Sequence, residues 1–231
     1  MRTYVFFISL LILGTSISFG QEQIDQDTTA VVKERYGLRV GLDLAKPVRS
    51  LLDKNYQGFE IVGDFRLRER YYLAAELGNE KRTTDLPNVN VTSNGSYIKA
   101  GLNYNAYNNW LGMNNLIYVG GRAGFSSFKE TLNSYTIYTT NDLFGDDTRT
   151  DSREFSGLSA TWLELQLGLQ AEVFNNVFIG INVQLKSRIT ESAVDDFGLF
   201  YIPGYGKTTD GSKFGAGYGY TLTYFIPLFK K

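Results

Sequence analysis

Apolar and polar residues alternate with period two along most of this chain. The run over 163–171 is the cleanest. Leu163, Leu165, Leu167, Leu169 and Ala171 share one parity, and Glu164, Gln166, Gly168 and Gln170 the other. A helix would turn residues i and i+2 to different sides, whereas a strand stacks them on one face. Similar runs begin near Tyr36, Phe59, Tyr71, Tyr97, Ile117, Val177 and Phe214. The pattern predicts eight strands, each of about ten residues, the length that crosses a bilayer when tilted.

The connections carry a second rhythm. Those at 69–70, 106–115 and 174–176 are short, and those at 46–57, 82–95, 127–160 and 187–212 are long. Pro47, Pro87 and Pro203 fall in long ones, as expected of a residue that cannot donate to a sheet ladder. Long and short alternate, which is the habit of outer-membrane barrels, with short periplasmic turns and long outer loops. The expected fold is all-β: an eight-stranded antiparallel up-and-down transmembrane β-barrel, with both termini on the short-loop side.

Alternation alone does not say which face meets which solvent. A secreted, soluble lipocalin-like barrel alternates too, with its apolar face inward. Strand length, glycine and aromatic placement favour the opposite arrangement. Eleven of the 24 Gly fall on the polar parity, where a narrow lumen needs small residues beside large ones. Tyr36, Tyr71, Tyr104, Phe125 and Tyr224 sit near strand ends on the apolar side, with Trp110 in a short connection, as interfacial girdles do. A mean hydropathy of −0.19 follows from averaging a lipid-facing belt with a polar lumen.

Composition then removes much chemistry. The chain has no His and no Cys, so His-based triads, thiol nucleophiles, disulfides and the common zinc sites are excluded. A net charge of −1 carries no nucleic-acid footprint. No cofactor or metal is expected.

The first twenty residues read as an export address. Arg2 precedes an apolar run over 5–13, and Ser18-Phe19-Gly20 offers a small-x-small cleavage site before Gln21. The expected organisation is a signal peptide over 1–20, cleaved near Gly20/Gln21, a flexible periplasmic leader over 21–33, and the barrel over 34–231. The expected location is the outer membrane, with its lipid bilayer as the one definite partner.

The polar parity collects Arg39, Arg66, Arg68, Lys99, Arg122 and Lys186 against Asp43, Glu60, Asp64, Glu76, Glu80, Glu164 and Glu172. Near-balanced charge inside a tight lumen predicts an ion-paired filling, since desolvated charges are costly unless paired. An eight-stranded barrel is only wide enough for side chains to fill it. A lipid-modifying enzyme is the competing reading, but Glu164 and Glu172 lie roughly 26 Å apart along one strand face at ~3.3 Å per residue. That is too far for a carboxylate pair. No G-x-S-x-G elbow is present. The favoured function is a non-enzymatic scaffold presenting acidic and aromatic outer loops. Tyr135, Tyr138, Asp146, Asp147, Phe200 and Tyr201 are the candidates for meeting an extracellular ligand or protein, and 134–140 is a place where a strand could continue above the membrane.

Three segments carry a resemblance: Lys33-Glu34-Arg35-Tyr36-Gly37-Leu38-Arg39-Val40-Gly41, Lys46-Pro47-Val48-Arg49-Ser50-Leu51-Leu52-Asp53 and Asn109-Trp110-Leu111-Gly112-Met113-Asn114-Asn115. With them the chain resembles an uncharacterised outer-membrane β-barrel family of the Bacteroidetes, and more loosely the small OmpA/OmpX-like barrels. The resemblance implies a membrane barrel and no catalytic residues.

Overall fold

The computed structural model describes residues 35–108, 114–137, 147–192, 198–209 and 211–230. The expected signal peptide and leader, Trp110, Tyr138 and Asp146 lie outside them. The strands are β1 (Arg35–Asp43), β2 (Tyr56–Arg66), β3 (Tyr71–Leu86), β4 (Val89–Asn105), β5 (Leu116–Ile137), β6 (Asp147–Arg149), β7 (Arg153–Phe174), β8 (Val177–Glu191), β9 (Tyr201–Ile202), β10 (Gly206–Lys207) and β11 (Phe214–Lys230). A helix, α1 (Ala45–Leu52), follows β1. Neighbouring strands pair antiparallel in the ring β1-β2-β3-β4-β5-β7-β8-β11, and β11 pairs back onto β1. This closes an eight-stranded up-and-down barrel. Closure removes the sheet edges that an open sheet would expose.

Each predicted strand is present, and several run further than the apolar alternation reaches. The stretch 82–95, expected as a loop, is the upper part of a β3–β4 hairpin that turns at Pro87-Asn88. Its outward positions are Thr, Asp and Asn rather than Leu, but the ladder continues, and the Thr83 and Thr92 hydroxyls pair across it at 3.0 Å. The stretch 127–160 likewise belongs mostly to β5 and β7, with β6 added beside the top of β5. Residues 134–137 continue β5, while 138–140 lie outside the described residues.

The connection 46–57 is also not a plain loop. Asp43 ends β1, and its Oδ1 accepts the Ala45 amide at 2.8 Å, which turns the chain into α1. Pro47 sits in the first turn, where its missing N–H costs nothing. Two positional expectations change. Tyr36, expected on the outer face, is buried, because the β1–β11 register shifts between Tyr36 and Gly37; its ring stacks on Phe229 at 5.3 Å. Arg68, expected in the lumen, lies beyond the end of β2 and is exposed.

The barrel has two halves stacked along its axis. In the lower half the outward residues are apolar and exposed, including Leu73 and Leu77 on β3, Ile98 and Leu102 on β4, and Leu163 to Leu169 on alternate positions of β7. The inward residues there are Glu76, Lys99, Arg122, Glu164 and Gln166, all buried. In the upper half the order reverses. Val91, Phe128, Leu158 and Trp162 point inward and are buried, while Ser96, Ser127, Lys129 and Thr161 face out. Strand parity does not change, since β5 alternates exposed and buried from Val119 to Glu130 without a break.

The upper half is built on one side only. β2 begins at Tyr56, opposite Arg82, so residues 83–86 of β3 rise past it. β8 reaches Glu191 opposite Ala160, so residues 153–159 of β7 rise past it. β3, β4, β5 and β7 thus form a tall wall, and α1 sits beside the low rim. Among the described residues no helix is long and apolar enough to cross a membrane.

Candidate functional site

The first arrangement is the lumen of the lower half. Lys99, 1% exposed, stands at its centre. Its Nζ donates to Glu76 at 2.7 Å and lies 3.3 Å from Glu60 and 3.9 Å from Glu164. Glu76 and Lys99 are direct cross-strand partners in the β3–β4 register, and Glu164 faces Lys186 across β7–β8 at 3.6 Å. Arg122 donates to Glu76 at 3.2 Å. Gln166 bridges Glu76 and Glu164, and the Trp162 indole donates to Glu164 at 2.7 Å. Tyr97 donates its hydroxyl to Glu60. Every one of these charges is desolvated, and each is offset by a partner within hydrogen-bonding or ion-pair reach.

Two glycines of this face make room for aromatic rings. A Cβ at Gly124 would strike the Trp162 ring, and one at Gly168 the Tyr118 ring. These two glycines leave the space that the rings occupy.

Not all expected members of the charge network join it. Arg39 pairs separately with Asp64 at 2.6 Å, between the Tyr72 and Phe178 rings. Arg66 lies at the lower end, donating to the Glu69 carbonyl at 2.8 Å, with Tyr36 and Tyr72 under its guanidinium. Glu172 pairs with Arg35 at 3.3 Å near the lower rim. Asp43 takes backbone amides of Ala45 and Tyr220 instead of a cation. The reason is vertical distance, because side chains on one strand face but several residues apart cannot meet.

The second arrangement closes the upper mouth. Residues 198–209 fold back into the barrel as a stopper, with β9 and β10 pairing around Pro203-Gly204-Tyr205. Glu80 holds it: the Tyr201 hydroxyl donates at 2.6 Å and the Gly204 amide at 3.0 Å. Glu80 also accepts from Tyr56 at 2.9 Å and from Lys46 of α1. Glu130 accepts the Phe200 and Tyr201 amides at 3.1 Å and the Ser93 hydroxyl at 2.7 Å. Lys186 donates to the Gly204 carbonyl at 2.7 Å. Ile202 and Tyr205 complete an apolar cluster with Tyr97, Phe128, Leu158, Ala160 and Trp162. Gly204 has φ +81°, and its Cα approaches the Tyr97 ring too closely for a side chain.

Electrostatics keep both partners of this latch in their bonded forms. Burial disfavours charge on Lys46, but Glu80 and Glu60 outweigh it and hold its pKa above the ordinary lysine value. Burial, then Glu80, push the Tyr201 phenol well up, so it stays a donor.

Tyr201 is therefore not an exposed binding residue. It is buried, because its hydroxyl reaches a carboxylate inside the mouth. Phe200 is half-buried beside it. Tyr135 and Asp147 do lie on the upper wall, at the junction of β5 and β6, and Asp147 pairs with Arg149 at 3.2 Å. Lys46, Glu130 and Trp162 are the functional residues that sequence reasoning missed. The change of apolar parity beyond Phe125 was the signal that could have found the last two.

Chemically, these arrangements brace and occlude. Below the network a cavity of about 40 Å³, lined by Val62, Asp64, Asn103, Gln170 and Thr223, has room for about a single water. A second cavity of about 130 Å³ lies between α1 and the stopper, among Lys46, Arg49, Tyr56, Lys186 and Tyr205. Among the described residues no group of three or more carboxylates is placed to hold a metal ion.

The chain belongs to the DUF6048 family, a domain of unknown function, whose family model matches residues 1–231. No curated protein matches it. Among solved structures it is similar to Ail, the attachment invasion locus protein of Yersinia pestis, at 12% identity and a TM-score of 0.40, over 83% of this chain and 97% of that one.

Proposed function

We propose that this chain is a non-enzymatic outer-membrane β-barrel protein, a closed and internally braced barrel that holds a rigid wall of strands on the cell surface for binding. The observation that carries the reading is the reversal of faces at one level of the barrel. Below it, apolar side chains point out and charge points in; above it, the reverse holds on the same strands. A change of solvent along the barrel axis accounts for that arrangement. The lower half meets lipid and the upper half meets water. The export address supports delivery across the inner membrane, and strand closure satisfies the backbone in hydrocarbon.

The lumen charges serve as bracing in this reading. Glu60, Glu76 and Glu164 are all engaged by Lys99, and the upper mouth is stoppered. Binding falls to the wall, which carries Tyr135 and Asp147.

The test is fractionation of cells expressing the full chain. The protein is expected in the outer membrane, starting at Gln21 by mass, with heat-modifiable gel mobility. Recovery as a water-soluble monomer without detergent would overturn the reading.

A further inference from the structure

Helix α1 is an oddity in a structure that otherwise hides its apolar residues in a belt or a core. None of its residues is buried, and Leu51 and Leu52 are 86% and 82% exposed. With Leu44 and Val48 they fall at i, i+4, i+7 and i+8, a single stripe along one side. The other side is polar and tied to the barrel. Lys46 pairs with Glu80, the Gly58 amide donates to Ser50 Oγ at 2.9 Å, and the Arg49 guanidinium lies 4.0 Å over the Tyr56 ring.

The position of the stripe says what covers it. Leu44 continues the outward parity of Leu38, Val40 and Leu42 on β1, so the stripe starts where the belt ends. On β2, against which α1 packs, Phe59 is the last outward apolar residue, and the next outward residue, Gln57, is polar. The helix therefore lies along the upper edge of the belt. Its charges fit that level: Lys54 is an exposed cation, while the acid beside it, Asp53, is held by Arg82.

We infer that α1 is an interfacial helix, lying on the outer leaflet with Val48, Leu51 and Leu52 in the acyl boundary and Lys54 at the level of anionic headgroups, while Lys46, Arg49 and Ser50 hold the other side to the barrel. Such helices bury an apolar face at the headgroup boundary while basic residues stay in the polar layer. The inference rests on the membrane reading above and deepens it. It gives the low rim of the barrel a lipid contact that fixes depth and tilt, while the tall wall stands in water.

The absence of cysteine makes the test clean. Single-cysteine variants Leu52→Cys, Leu167→Cys and Asp85→Cys are labelled with an environment-sensitive fluorophore. Each is refolded in phosphatidylcholine–phosphatidylglycerol vesicles carrying a spin label at a shallow or a deep acyl position. Barrel formation is checked by heat-modifiable mobility. Expected is a blue shift at position 52 with stronger quenching by the shallow label, strongest quenching at 167 by the deep label, and little at 85. If 167 is quenched but 52 behaves like 85, or is quenched best by the deep label, the interfacial helix is refuted and the barrel reading stands. If 167 is not quenched in a folded barrel, the membrane reading itself falls.

Discussion

The lower and upper halves of this barrel share four strands, β3, β4, β5 and β7, and the parity along them, yet opposite faces are apolar in each. On β5, Ile117, Val119 and Phe125 are apolar and outward, whereas Phe128 and Leu132 are apolar and inward. On β7 the change falls between Leu163, outward, and Trp162, inward. The hydrogen-bonded ladder is indifferent to this switch, since it joins backbone groups alone. In the proposed membrane setting, what changes is the medium around the barrel. Below the switch a polar lumen has to be filled with paired charges; above it an ordinary core forms from Tyr97, Phe128, Leu158, Trp162 and Ile202. The difference teaches that the ladder sets which residues share a face, and the surroundings set what that face is made of.

The sharpest way to break the comparison is to unbalance the lower lumen. Lys99→Met leaves Glu60, Glu76 and Glu164 facing one another without their shared cation. The expected loss is about 3–5 kcal/mol of barrel stability, the usual result of stripping one partner from a buried charge cluster. Urea titration of vesicle-embedded protein, read by heat-modifiable mobility, measures it. Adding Glu60→Gln to the variant should recover part of the loss. An unchanged midpoint for Lys99→Met would mean that the network does not brace the barrel.

A smaller effect compares the halves on one face. Leu167 and Thr131 both point outward, the first in the belt and the second on the wall. Leu167→Arg is expected to cost about 2–4 kcal/mol, as for arginine at the bilayer midplane. Thr131→Arg should stay within about 0.5 kcal/mol, as for a surface substitution. Equal costs at the two positions would erase the boundary between the halves.

The two halves were also unequally legible in the sequence. The belt could be read because its outward residues are uniformly apolar, so Leu163 to Leu169 announce a strand and assign Glu164 and Gln166 to the lumen at once. The wall could not, because its outward Ser, Thr, Asn and Lys resemble loop composition and its inward face mixes Val91 with Ser93, and Phe128 with Glu130. Face assignment also says nothing of height. It grouped Glu172 with Glu164, although the structure joins the first to Arg35 at the lower rim and the second to Lys99. The stopper was beyond reach for another reason. Its contacts, such as Tyr201 with Glu80, join positions 121 residues apart and obey no period.

The stopper supplies the smallest test, and it separates the halves most finely. Tyr201→Phe removes one donor from Glu80 while the Lys46, Tyr56 and Gly204 bonds remain. Because Glu80 keeps those partners, the loss is expected to be about 1 kcal/mol, that of a single hydrogen bond rather than of a stranded charge. It should also be local. Residues 201–207 lie outside the barrel ring, so the stopper can loosen without opening a rung of the ladder. Hydrogen exchange is the fitting measurement: amides of the stopper should exchange about fivefold faster, the equivalent of ~1 kcal/mol. Amides over 163–171 of β7 should not change. If both sets accelerate together, the stopper and the charged lumen open as one unit, and the division of the barrel into a braced lower half and a separately latched upper mouth fails.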